Sequence, residues 1–178
     1  MLARDVPTTA DLGADVITDP LPDLVDPERF TPRLLALVSN ALVWRESQEL
    51  RRRFGLGTNE WRVLSALATR PGSSASEISD FLGVNKAIVS KSVSTLVANR
   101  LVVLSDGPRG SRPLYLTEAG ADMHHRMRPV SMRGQDLILE GMSDEEIAEF
   151  NGVLHRMLAA LREADAAAPP LRPSPESR

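Results

Sequence analysis

Between Ser74 and Asn99 the chain carries two helix starts and one helix stop, a spacing that leaves room for little but two short helices and a tight turn. Ser74 and Glu77 have the Ser-x-x-Glu spacing of a capping box, in which each residue satisfies a free backbone donor of the other. Ile78, Phe81 and Leu82 come next at i, i+3 and i+4, which predicts one buried face. Gly83 then stops the helix, because glycine enters the left-handed region without strain. Val84 is the apolar residue of the turn, and Asn85 is a good N-cap for a second helix. That helix has a buried stripe of Val89, Val93, Leu96 and Val97. Its opposite face offers Lys86, Ser90, Lys91 and Ser94, with no acid from Asn85 to Arg100. Short hydroxyls admit close approach and cations meet phosphates and guanine edges, so this face suits a major groove. By itself the pattern also fits a solvated amphipathic helix.

A basic hairpin comes after the second helix. Leu101 to Leu104 and Pro113 to Leu116 are two short aliphatic and β-branched runs, and Ser105 to Arg112 between them is punctuated by Gly107, Pro108 and Gly110. Arg109 is expected at or near the tip and Arg112 at the base of the return strand. An arginine on a slender hairpin beside a groove-reading helix suits the minor groove, where negative potential is concentrated. The alternative is an ordinary exposed β-turn. The expected DNA contacts are therefore Asn85, Lys86, Ser90, Lys91, Ser94, Arg109 and Arg112. Charge distribution agrees. The whole chain carries −3, yet Arg51 to Arg112 carries +6 and the remainder −9. It is the local field that faces a phosphate backbone.

Two short helices about Gly83, a cation midway along the second, a strand, an arginine-bearing turn and then Leu116-Thr117-Glu118-Ala119-Gly120 together resemble the MarR family of bacterial transcriptional regulators. The resemblance spans roughly Thr31 to Leu161. Its most specific part is the Leu-Thr-x-x-Gly after the hairpin, with Leu96 and Leu101-Val102 before it. It implies a mainly α (α+β) fold, a winged helix-turn-helix lobe with N- and C-terminal dimerisation helices that interlace between two subunits. It also implies small-molecule effectors held between those helices and the lobe. Lys91 falls where the family usually has an arginine in its recognition helix, and Arg109 on the first arginine of the family's wing-tip Asp-Arg-Arg. Pro108 replaces that aspartate and Gly110 the second arginine, which leaves Asp106 to orient Arg109.

The rest of the chain divides around this centre. Residues 1–30 are acidic and Pro-rich and read as an irregular arm. Residues 31–57 hold a long helix to about Phe54, with Pro32 in its first turn. Its apolar positions, Leu34, Leu35, Leu37, Val38, Ala41, Leu42 and Trp44, are wide enough to meet more than one neighbour. Arg51-Arg52-Arg53 ends that helix, which suits either the helix dipole or a phosphate. Residues 58–120 form the DNA-binding lobe, opened by a helix capped by Thr58 with Trp61, Val63, Leu64 and Leu67 inward. Residues 121–165 hold two further helices. Thr117 caps the first, which contains Pro129 and is expected to kink there. Ser143 and Glu146 box the second, whose stripe of Ile147, Phe150, Val153, Leu154, Met157, Leu158 and Leu161 should run to about Ala164. Residues 166–178 read as a disordered tail. No apolar run approaches 18 residues and the N-terminus lacks a secretory h-region, so a cytoplasmic protein without membrane contact is expected.

Cysteine is absent, and no nucleophile elbow, phosphate loop, dinucleotide fingerprint or His-Glu-x-x-His occurs, so no enzyme and no cofactor are expected. Asp122 and His125 share a helix face and His155 could approach them, a donor set suited to zinc or manganese. No metal is nonetheless expected, because histidines of this kind are commonly exposed or pocket-lining. For an effector, Trp44, Arg45, Trp61, His125 and Arg128 offer aromatic walls and arginines suited to an aromatic or acyl carboxylate. The expected protein is a homodimeric repressor on an inverted-repeat duplex, released by a small molecule. The alternatives are a metal-responsive regulator of the same fold and a winged-helix protein-interaction module.

Overall fold

A computed structural model describes residues 16–107 and 111–167. Residues 16–30 carry no regular secondary structure. Then come α1 (Thr31–Phe54), α2 (Thr58–Thr69), α3 (Ala75–Leu82), α4 (Lys86–Ala98), β1 (Val102–Leu104), β2 (Leu114–Leu116), α5 (Glu118–Ile138) and α6 (Asp144–Ala167). The strands form one antiparallel pair. This is the mainly helical winged helix-turn-helix architecture expected. The predicted arm up to residue 15 and the tail from residue 168 lie outside the described residues.

The chain divides within α1 into two compact units, the first ending at Arg45. In that unit the Asp26 carboxylate accepts the Glu28 N–H at 3.0 Å, and Arg33 donates back to the Pro27 carbonyl at 2.9 Å. The residues entering α1 are thus tied to its first turn. Leu34, Leu35, Leu37 and Val38 are nevertheless 40%, 42%, 49% and 50% exposed.

The second unit, from Glu46, holds the core. Leu50 of α1 and Trp61, Leu64 and Leu67 of α2 meet Ile78 of α3, Val89, Val93 and Leu96 of α4, Leu101, Val102 and Leu114 of the hairpin, and Met127 of α5. The caps between them are local and specific. The Ser74 N–H donates to Glu77 Oε2 at 2.7 Å, and the Glu77 N–H to Ser74 Oγ at 3.3 Å. Gly83 sits at φ 63°, ψ 33°, the left-handed stop. Asn85 Oδ1 accepts the Ala87 N–H at 2.8 Å. Ser143 and Glu146 close the same reciprocal box at 2.8 and 3.2 Å.

Three expectations are corrected. Phe81 is exposed rather than buried, with the Arg70 guanidinium 4.2 Å from its ring centroid. In a helix of two turns Ile78 and Leu82 take the inner face, and Phe81 points about 100° away from Leu82. Thr58 is the first residue of α2 rather than its cap. Gly57 is the N-cap, and its N–H is satisfied by Glu60 Oε2 at 2.9 Å. α6 reaches Ala167, so Ala166 and Ala167 are helix, not tail. Alanine is the best helix former, and it dominates that end. α5 passes through Pro129 as one element.

The Leu-Thr-x-x-Gly after the hairpin has a physical reason. The Thr117 N–H donates to the Leu101 carbonyl at 3.0 Å and its hydroxyl to the Arg100 carbonyl at 2.9 Å, while Oγ1 accepts the Gly120 N–H at 2.9 Å. α5 is thereby capped and pinned to the chain entering β1. A Cβ on Gly120 would lie 1.9 Å from the Leu101 carbonyl oxygen, so the approach is open to glycine alone. On the other side, the Leu114 N–H donates to Ser73 O at 3.1 Å and the Gly72 N–H to Leu114 O at 2.9 Å. The hairpin is rooted against the start of the helix-turn-helix.

Candidate nucleic-acid interface

The sequence of α4 sorts its sides cleanly. Val89, Ser92, Val93 and Leu96 are buried, while Lys86, Ser90, Lys91 and Ser94 are exposed. Asn85 is exposed and its carboxamide oxygen is engaged as the cap. Ser94 donates its hydroxyl to the Ser90 carbonyl at 2.9 Å, which leaves oxygen lone pairs outward. Among the described residues, neither Lys86 nor Lys91 forms an ion pair. The exposed surface of α4 therefore carries two ammonium groups without an ion-pair partner among the described residues, set among small hydroxyls, together with Ile88, which is 42% exposed.

Beside it, Val102 pairs with Leu116, Val103 with Tyr115 and Leu104 with Leu114. The ladder continues outward, with the Ser105 N–H on Pro113 O and the Gly107 N–H on Ser111 O, both 2.9 Å. Arg112 and Asp106 are exposed on this extension. Arg109, flanked by Pro108 and Gly110, lies outside the described residues.

Of the arginines closing α1, Arg52 pairs with Glu49 at 2.8 Å and Arg53 pairs with the same carboxylate. The Arg52 hydrogen bond, with the charges of both arginines, holds the Glu49 carboxyl below its usual range. These two cations are thus paired with an acid of their own helix.

The residues expected at an effector site are distributed unevenly. Trp44 is 65% exposed and Arg45 is exposed. In the second unit Trp61 is buried, and the ring stacked on it is that of His124, with centroids 4.9 Å apart and planes 17° from parallel. His125, its neighbour, is exposed, as is Arg128. Partial burial holds the His124 imidazole below its ordinary pKa, with smaller contributions from the charges of His125 and Arg128. Asp122 is engaged with Arg126 at 3.6 Å. Among the described residues no three His, Asp or Glu side chains are gathered as metal ligands.

Two contacts are not legible in the sequence. Ser92 donates to Glu60 Oε1 at 2.8 Å across 32 residues. His124 rather than His125 faces Trp61. A serine inside the apolar stripe of α4 is the available signal for the first. Nothing local distinguishes the two histidines.

Residues 54–113 match the model of the MarR family. No curated protein matches the sequence. Solved structures do. A MarR-family transcriptional regulator from Silicibacter pomeroyi is 25% identical, covering 75% of this chain and 91% of its own, with a TM-score of 0.70. The PcaV transcriptional regulator from Streptomyces coelicolor, solved with its natural ligand, is 22% identical over 78% of this chain and 99% of its own, with a TM-score of 0.66. MepR from S. aureus, solved as a DNA complex, is 18% identical over 75% of this chain and 98% of its own, with a TM-score of 0.67. Fold and site thus define the class, a DNA-binding transcriptional regulator built on a winged helix. The matched segment runs from the end of α1 to the residue before β2, and over it the chain is similar to the MarR family. Among the described residues no helix is long and apolar enough to cross a membrane.

Proposed function

We propose that the chain is a homodimeric, sequence-specific repressor that binds an inverted-repeat duplex through α4 and the hairpin and is released by a small-molecule carboxylate. The observation that carries this is the outer face of α4. Lys86 and Lys91 are exposed there among small hydroxyls, beside a hairpin bearing Arg112. Lys91 and the serines read base edges, Lys86 and Arg112 hold phosphates, and Arg109 enters the flanking minor groove. MepR was solved on DNA and PcaV with a natural ligand, and both share this fold. On the effector side, the Trp61–His124 stack supplies an aromatic wall and Arg128 on the same helix as His124 a cation for a carboxylate. The test is selection of duplexes from a random pool by the purified protein, repeated with aromatic and acyl carboxylates. An inverted repeat with half-site centres about one helical turn apart is expected, with its enrichment reduced by one class of acid. A pool that stays random removes the function.

A further inference from the structure

We infer that Glu60 is a positioning residue for the recognition helix and acts through Ser92; this rests on the DNA-binding role of α4 proposed above. Ser92 is the residue after Lys91, but it faces inward and is 2% exposed, so it cannot itself touch a duplex. Its hydroxyl donates to Glu60 Oε1 at 2.8 Å. The second oxygen of the same carboxylate accepts the Gly57 N–H at 2.9 Å. One side chain therefore joins the break between α1 and α2 to the middle of α4.

The remaining inward contacts of α4 are aliphatic, from Val89, Val93 and Leu96. Such contacts are non-directional and resist a roll of the helix about its axis only weakly. A hydrogen bond of fixed length and angle resists it directly. A dressed helix has a radius of about 5–6 Å, so a roll of about 20° displaces a side-chain tip by roughly 2 Å, enough to break a base contact. The Ser92 tie thus sets where Lys91, Ser90 and Ser94 point. The other end is equally constrained. A Cβ on Gly57 would lie 3.2 Å from Glu60 Oε2 and 3.3 Å from Arg51 Nε, so the Glu60 carboxylate and a side chain from the last turn of α1 both close in on Gly57. Displacement at the α1–α2 break is transmitted to the roll of α4 through Glu60.

The test compares a duplex that the wild-type chain enriches from a random pool with a scrambled duplex of equal length. Ser92→Ala leaves the Glu60 cap on Gly57 in place. It should lower the preference for the enriched duplex about tenfold while affinity for the scrambled one is kept, because phosphate contacts tolerate a rolled helix and base contacts do not. Glu60→Gln should stay within about twofold of wild type, since its amide oxygen accepts from Gly57 and its amide N–H donates to the Ser92 hydroxyl. Glu60→Ala should lose the preference as Ser92→Ala does, and the double variant should lose no more. Ser92→Ala with the wild-type preference overturns the inference. So does an equal loss on both duplexes with a lowered melting temperature, which would make the tie a stability contact. If the wild-type chain enriches no duplex, DNA binding itself fails before any variant is made, and the inference falls with it.

Discussion

At the scale of single residues, one close approach and one stack carry the sharpest consequences. Gly120→Ala drives a methyl group into the Leu101 carbonyl, a backbone atom held by Thr117 and unable to step aside. Overpacking of this kind should cost on the order of 1–3 kcal/mol or more, read as a lowered urea midpoint with an unchanged slope. His124 is expected to make stability depend on pH. Its folded pKa lies below the unfolded value, so the unfolded chain binds the proton first. Stability is therefore full above about pH 6.5 and declines as the pH falls through the depressed folded value. His124→Phe keeps a ring on Trp61 and removes the proton, so its melting temperature should fall less than that of wild type between about pH 7.5 and about pH 5.5, the range in which an ordinary histidine titrates. Parallel curves would show that His124 is not the titrating group. Lys91→Ala should weaken binding to the enriched duplex by on the order of 1–3 kcal/mol if the ammonium reads a base, and by less if it meets only phosphate. Unchanged affinity at two salt concentrations would remove it from the interface.

At the scale of elements, legibility depends on the range of the interactions. The boxes at Ser74–Glu77 and Ser143–Glu146, the Asn85 cap and the Gly83 stop are settled within a few residues, and spacing alone predicts all four. Phe81 departs from its pattern because i+3 spacing fits the inner face of a long helix, whereas α3 is too short and too close to Arg70 to enforce it. The Glu60–Ser92 tie and the Trp61–His124 stack depend on how α2 meets α4 and α5, which no local pattern encodes. The hairpin lies between these cases, since its strands are legible but its roots at Thr117 and Ser73 are not. For its tip, Arg109→Ala should lower affinity and erase preference for A·T-rich flanks, where the minor groove is narrow. Lys91→Ala should leave that preference intact. Equal loss on all flanks would mark Arg109 as a phosphate contact.

At the scale of the whole molecule, α6 is the anomaly. It is a long helix with no buried residue, and it exposes Phe150, Leu158 and Leu161 to 41%, 50% and 64%. A stripe of that size is a liability for an isolated chain and an asset for a paired one. Removal of everything after Gly141 should yield aggregated or unfolded protein, and a soluble, folded monomer from that truncation would contradict the dimer. If α6 acquires its core only from a second copy, folding becomes a second-order event governed by mass action. The midpoint of unfolding should then climb with protein concentration, and dilution alone should dissolve the fold. A cell holding few copies would keep part of its pool unpaired and exposed to proteases. Abundance would then set how much of the regulator exists in working form, before any operator or ligand is met.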